Sequence, residues 1–478
     1  MSTALVWLRR DLRVADQPAL ARAARAAERV APLYIHTPDE TWPRVGAASL
    51  WWLHHSLAAL DTELAAAGSR LCLDSGPSTE RLCHWAQVSD ATVVYCTAIA
   101  EPWARQQEAA VAEALAGIGV RLEVLPDGLL TDPSAVRNRG GTPYRAFTPF
   151  WRSVRAQLDP PRPTPPPALP GLPEAIPEPQ PLAALGLLPR IRWDEKLLPH
   201  WQPGAAGAQQ RLEAFLGSAA ADYAERRDYP AHPGTSRLSP HLHFGEVSIR
   251  SIWHAVEEAR QALPAAAHGA LDTFLAELGW REFAYHLLWQ QPQLHETPID
   301  ERFSRFAWRE DPHGTLLEAW RRGATGVPLV DAGMRELWAT GWMHNRVRMV
   351  VGSFLVKNLR LPWQHGEAHF RDTLVDWDLA SNSMGWQWVS GCGADAAPYF
   401  RIFNPVRQGE RFDPDGEYVR QWVPEVAGLP KSHIHQPWAA PADARARSGL
   451  RLGYDYPEPL VDLTSSRKEA LAAFQALG

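Results

Sequence analysis

Between Asp376 and Pro405 the chain reads DWDLASNSMGWQWVSGCGADAAPYFRIFNP, a run dense in acids, amides and large aromatics with almost no apolar periodicity. Asp376 and Asp378 stand two residues apart, Asn382 follows four later, and Trp386 and Trp388 bracket Gln387. Carboxylates, an amide and two indoles confined to so short a segment suit a flat ring system that stacks on its faces and hydrogen-bonds at its edges. A second set lies in LDTFLAELGWREFAYHLL, where Glu277, Trp280 and Arg281 fall at i, i+3 and i+4 and share one helical face with Phe274. An indole flanked by a carboxylate and a guanidinium can stack on a base and bond its edge. In GWMHNRVRM, helical spacing puts Trp342, Asn345, Arg346 and Met349 on one face with Arg348 beside it. An amide on a largely apolar face needs a partner. The turn GTSRLSP (234–240) adds the hydroxyls of Thr235, Ser236 and Ser239, the Arg237 guanidinium and backbone N–H groups. Together these can cradle phosphate, although Ser and Thr are also ordinary helix caps.

Those residues need a scaffold, and the chain supplies two patterns for one. From the start to about residue 130, short β-rich runs alternate with Ala-rich helical segments: ALVWLRR (4–10), RVAPLYIH (29–36), SRLCLDSG (69–76), ATVVYCT (91–97) and VRLEVLP (120–126). Strands spaced by helices imply parallel βαβ units, so residues 1–131 are expected to form a doubly wound α/β domain with any ligand at the carboxyl ends of its strands. No GxGxxG follows the first strand, and the Gly117–Gly119 pair reads as a helix terminator, which speaks against dinucleotide binding there. Residues 132–203 are expected to be an interdomain linker: 159–190 hold twelve prolines in 32 positions and must lie extended as a semi-rigid strap. From 204 to 478 the period is helical, in QQRLEAFLGSAAADYAERR, SIRSIWHAVEEARQAL, the 271–290 segment and PLVDAGMRELWATGWMHNRVRMVVGSFLVKNL. The fold class is therefore α/β plus α.

The 478 residues suffice for two or three cores, and the 45% apolar and 21% charged shares are those of a globular protein. No long apolar run or basic leader marks a membrane span or secretion, so a cytoplasmic protein without membrane partners, and a monomer, is expected. Cys72, Cys83, Cys96 and Cys392 lack CxxC spacing, and His241 and His243 have no nearby ligand set, so no metal site is expected. The net charge of −6 is wrong for a protein that binds DNA with its whole surface. The basic residues nevertheless gather near the ring-binding candidates: Arg335, Arg346, Arg348, Lys357, Arg360, Arg371, Arg401, Arg407 and Arg411. The 22 Trp stand out, because a buried indole N–H needs a partner.

The 376–405 run, GTSRLSPHLHFGEVS, LGWREFAYHLL and GWMHNRVRMVVGSFLVKNL together resemble the DNA photolyase and cryptochrome family, and the likeness extends from Ala4 to the last helix. The resemblance implies an FAD held by Tyr223, the loop Thr235, Ser236, Arg237, Leu238 and Ser239, and by Arg281, Asn345, Arg348, Asp376, Asp378 and Asn382. Arg281 and Asp376 are then expected to pair across the ring, and Asn382 to face flavin N5. It implies a substrate site for UV-damaged DNA: Trp280 and Trp388 pack on a flipped-out pyrimidine dimer, Glu277 and Asn345 bond its base edges, Met349 touches it, and Arg227, Arg346, Arg401 and Gln408 bind the DNA. Phe274 stands where many members have Trp. Trp386, Trp363 and Trp308 match an electron-transfer chain from flavin to surface. The implied activity is light-driven cleavage of cyclobutane pyrimidine dimers by an electron from excited reduced FAD. The alternative is a cryptochrome-type blue-light receptor; Glu277, Met349 and Asn382 and the absence of an added tail after 456–477 favour repair, and Met349 stands where the (6-4) branch resembles a catalytic His. Family members often carry a second, antenna chromophore, a folate or a deazaflavin. Its identity stays open here, because Trp103 and Ala104 occupy the register of the folate-binding Asn–Glu pair and Glu101 is the nearest acid.

Overall fold

The computed structural model describes residues 2–396 and 400–478. Five short runs become strands β1 (Thr3–Leu8), β2 (Arg29–His36), β3 (Cys72–Ser75), β4 (Val93–Thr97) and β5 (Arg121–Leu125), all parallel, in the order β3-β2-β1-β4-β5. Helices α1 (Pro18–Ala26), α2 (Ala47–Ala66), α3 (Ser78–Val88) and α4 (Pro102–Ala116) connect them. Side chains alternate across a strand, and β1 shows what this does. Ala4, Val6 and Leu8 join α1 and α2 in one core, whereas Leu5 and Trp7 join α3 and α4 in another. A strand buried on both faces reads as an unbroken apolar run, as the parallel doubly wound sheet requires. Trp51 and Trp52 of α2 are fully buried packing residues, the Trp52 indole donating to Glu246 at 2.9 Å.

The proline-rich strap follows α5 (Phe147–Arg155) and runs along the β2–β3 side of the sheet, where Val30 N–H donates to Gly171 O and Gln180 N–H to Leu73 O. The remainder is helical: α6 (Ala205–Ser218), α7 (Tyr223–Arg226), α8 (Ser239–His243), α9 (Ile249–Ala262), α10 (His268–Gln290), α11 (Thr315–Arg321), α12 (Pro328–Thr340), α13 (Asn345–Ser353), α14 (Trp363–Thr373), α15 (Leu379–Ser390), α16 (Pro405–Phe412), α17 (Glu417–Trp422), α18 (Ala442–Ser448) and α19 (Leu463–Gln475). The largest core lies among α10, α12, α13, α14 and α15. No helix among the described residues is long and apolar enough to cross a membrane.

One helical expectation needs correction. The segment 328–359 is not a continuous helix: α12 stops at Gly341, whose φ of 70° is the left-handed conformation that closes helices, and the chain restarts at Asn345. Trp342 therefore precedes α13 instead of sharing its face, and packs with the sheet-side core. Past α13 the backbone widens into a π-turn, Phe354–Asn358, whose buried Lys357 donates to Ser390 O at 2.6 Å and closes the far end of α15.

Candidate active site

The run 376–390 is organised by the start of α15. Asp378 is its N-cap, accepting from Ser381 N–H at 2.8 Å, so its carboxylate sits where the helix presents unpaired N–H groups; Asp376 lies two residues before it. Asn382 and Trp386 are one turn apart on the same side of α15. Gln387 and Trp388 turn elsewhere. Gln387 is buried and wholly structural, donating to Leu294 O and Thr297 O and accepting from Ile299 N–H. Trp388 is half-buried, with the Arg401 guanidinium 5.6 Å from its ring. Residues 397–399 of this run lie outside the described residues.

Asp376 gathers the first group. It accepts from Ser239 Oγ at 2.7 Å and from Arg348 Nη2 at 2.8 and 3.0 Å. The expected Arg281–Asp376 pair does not form. Arg281 gives Nη1 to Gly128 O at 2.6 Å, leaving Asp376 to Arg348. Asp378 accepts from the Tyr285 hydroxyl at 2.5 Å, and His243 Nδ1 stands 3.6 Å away, just beyond hydrogen-bond reach. Burial would push the Asp378 carboxyl up, but His243, the Arg281 charge and the Tyr285 hydroxyl hold it well below the usual carboxylate range. Burial and the Arg10 charge lower the His243 imidazole in turn, with Asp378 opposing them.

Asn382 is oriented by Glu367 of α14. Its Nδ2 reaches both the Glu367 backbone oxygen (3.3 Å) and Oε1 (3.1 Å). A backbone carbonyl can only accept, so the amide nitrogen must face Glu367 and Oδ1 must face away. Burial pushes the Glu367 carboxyl up, with Arg371 opposing.

The phosphate-loop candidates are set against this wall. Thr235, Ser236 and Arg237 are half-buried, Leu238 is buried, and Ser239 opens α8. Arg237 adopts φ 51° and lays its guanidinium 4.5 Å over the Trp342 ring, making no ion pair among the described residues. Tyr223, buried at the start of α7, packs edge-on against Phe274, so the Phe in place of Trp serves as an aromatic wall.

On α10, Glu277 and Trp280 share a face as the spacing requires. Glu277 accepts from Arg227, and Trp280 stacks on Phe147 with ring centroids 3.7 Å apart, so one face of its indole is already covered. On α13, Asn345 is exposed and Arg348 and Met349 half-buried, while Arg346 pairs with Asp228 at 2.7 Å and lies over Phe412. Arg401 is exposed, and Gln408 is half-buried on α16 with its Oε1 lacking a partner among the described residues.

Two of the three candidate electron-transfer indoles are brought together by α14. Trp363 opens that helix, and Gly366, one turn on, is where Trp386 packs: a Cβ there would lie 2.1 Å from the indole's Cη2. Trp308 sits in a half-buried loop tied to the α14 approach by Arg309 N–H donating to Arg360 O at 2.8 Å. In the N-terminal sheet, the acid nearest the folate register is spent. Glu101 is fully buried and bonds Arg10 and the Trp103 indole. Tyr285, Glu367 and Asp228 are not singled out in the sequence; Tyr285 stands at i+4 from Arg281 on the α10 face, which carries its guanidinium 5.0 Å over the ring, whereas Glu367 and Asp228 lie in no spacing that marks them.

Residues 4–169 match the DNA photolyase family model, and residues 274–476 match the FAD binding domain of DNA photolyase. The chain is 44% identical over 474 residues, 99% of its length and 98% of the relative's, to a deoxyribodipyrimidine photo-lyase of Agrobacterium fabrum. It is 37% identical over 97% of its length to cryptochrome-1 of Arabidopsis thaliana, covering 69% of that protein. Among solved structures, it superposes on a bacterial class III photolyase from Agrobacterium tumefaciens with a TM-score of 0.95 at 43% identity, covering 100% of this chain and 98% of that one. An archaeal photolyase from Sulfolobus tokodaii, described as holding two FAD molecules, gives a TM-score of 0.82 at 28% identity, covering 99% of this chain and 100% of that one. The chain belongs to the DNA photolyase and cryptochrome family and carries that family's FAD-binding domain.

Proposed function

We propose that the protein is a deoxyribodipyrimidine photo-lyase that repairs cyclobutane pyrimidine dimers in UV-damaged DNA. When bound, reduced FAD excited by blue light supplies the electron that opens the cyclobutane ring and takes it back afterwards. The chain's own residues position and insulate. Tyr223, the 235–239 loop, Arg281, Asn345, Arg348, Asp376, Asp378 and Asn382 would hold the cofactor, and the residues fit it: Arg237, without an ion pair among the described residues, offers its guanidinium for the diphosphate, and Asp376 and Asp378 are held as edge acceptors.

The observation that carries the reading is Asn382. Its nitrogen is spent on Glu367 and its oxygen is presented as a neutral acceptor, which could accept a hydrogen bond from N5–H of reduced flavin without setting a second anion beside an anionic ring. On the substrate side, Glu277, Trp280, Asn345, Met349 and Trp388 would receive the flipped dimer, whose weakened stacking lowers the cost of extrusion. Arg227, Arg346, Arg401 and Gln408 would hold the strand. Trp386, Trp363 and Trp308 would carry electrons inward to an oxidised cofactor. The reading is tested on irradiated oligothymidylate: under blue light, protein with chemically reduced flavin restores the base absorbance lost on dimerisation. No recovery in light overturns it.

A Glu277→Ala variant is expected to bind dimer-containing DNA more weakly by about 1–3 kcal/mol, the cost of an unmet buried hydrogen bond, with normal flavin content. Titration of lesion duplex against the variant measures it. Loss of flavin instead would move Glu277 out of the substrate site.

A further inference from the structure

Two of the guanidiniums assigned to DNA are already paired inside the protein. Arg227 is bonded to Glu277, and Arg346 Nη2 lies 2.7 Å from Asp228 Oδ2. Glu277 has a second task at the base edges. Asp228 has none: it belongs to neither the cofactor set nor the lesion set, and it sits in the turn just after α7. Its partner is held on two sides, with the Arg346 guanidinium 4.5 Å over the Phe412 ring and Asp228 at its end. Both charges remain partly exposed, 20% for Arg346 and 31% for Asp228, so the pair stands at the surface where a phosphate would approach.

Phosphate contacts give affinity to any DNA, damaged or not, because each neutralised phosphate releases counterions. A guanidinium cancelled by a neighbouring carboxylate contributes little of that attraction. For a repair enzyme, sequence-independent binding is the competitor, since undamaged phosphates vastly outnumber those beside a dimer.

We propose that Asp228 is a specificity-determining residue that withholds Arg346 from ordinary DNA. Undamaged duplex meets a neutral pair. Lesion DNA, anchored independently by the dimer in its site, holds a phosphate against Arg346 long enough to share it with Asp228. The inference rests on the proposed action on damaged DNA.

The test compares wild type, Asp228→Asn, Arg346→Gln and the double variant. A remote control, Glu123→Gln, changes net charge equally by breaking the Arg22–Glu123 pair on β5. Flavin content checks the fold of each. Binding is measured across a salt series to one duplex with and without a single cyclobutane dimer. Asp228→Asn should bind undamaged duplex more tightly, with the slope of log K against log salt steeper by about 0.9, one added phosphate. A four-fold drop in salt then tightens its binding about 3.5-fold more than it tightens wild type. Lesion affinity should change less, so discrimination falls, and the double variant and the remote control should show neither effect. Unchanged undamaged-DNA binding, a gain equalled by Glu123→Gln, or a selective loss of lesion affinity would each overturn the proposal; the last would make Asp228 a support that aims Arg346. Failure of wild type itself to distinguish the two duplexes would instead strike the repair reading, while the salt slope still decides whether Asp228 masks a charge.

Discussion

A Trp386→Phe variant is expected to lose light-driven reduction of oxidised FAD by an external donor, and to repair dimers normally once its flavin is reduced chemically. The indole is 3% exposed and is walled by Phe370 at 5.0 Å and Trp320 at 6.2 Å. Phenylalanine keeps an aromatic ring in that wall and leaves only a small cavity, so the cost in stability is modest, on the order of 1–2 kcal/mol. What it removes is the first readily oxidised group in the proposed path to Trp363 and Trp308. Absorbance of the flavin under illumination with a thiol donor reads the first effect, and dimer loss after chemical reduction reads the second. Photoreduction at the wild-type rate would remove Trp386 from the electron path, and failed repair with reduced flavin would make it a structural residue of the site.

The second large effect is expected at Asp376. Asp376→Ala leaves the Arg348 guanidinium and the Ser239 hydroxyl without their shared acceptor at the cofactor wall. Arg348 is one-quarter exposed, so solvent recovers part of the loss, and about 1–3 kcal/mol remains. Flavin retained per chain through purification should fall well below wild type, with Asp376→Asn intermediate because it keeps an oxygen but not the charge. Full flavin content in the alanine variant would show that the Asp376–Arg348 pair serves only the protein.

Which parts of this were readable beforehand follows from what kind of information each part needs. Strands buried on both faces leave continuous apolar runs, which makes β1, β2 and β4 legible; β5, the half-exposed edge strand, is marked instead by its short β-rich run after the Gly117–Gly119 helix end. The Glu277–Trp280 face needed only helical spacing, and α10 delivers it. The 341–344 break carried its signal in Gly341, but the apolar period on both sides hid it, so Trp342 was wrongly placed with Asn345. Within α15, Trp386 and Trp388 are two residues apart, so at about 100° per residue they point to nearly opposite sides, and Trp386 enters the core beside Gly366 while Trp388 stays half-buried. Which arginine takes Asp376 was beyond reach, because Arg281 and Arg348 are equal as residue types and the choice falls to the Gly128 carbonyl that captures Arg281. Glu367 and Asp228 lie in unremarkable stretches and acquire meaning only through Asn382 and Arg346.

The central claim, repair driven by light, is tested most directly by counting cyclobutane dimers in irradiated DNA held with sub-stoichiometric protein whose flavin has been reduced, in blue light and in darkness. The account predicts that several dimers disappear per protein molecule in the light and none in the dark. Lesion binding without any light-dependent loss of dimers would contradict it and leave a photoreceptor of the same fold.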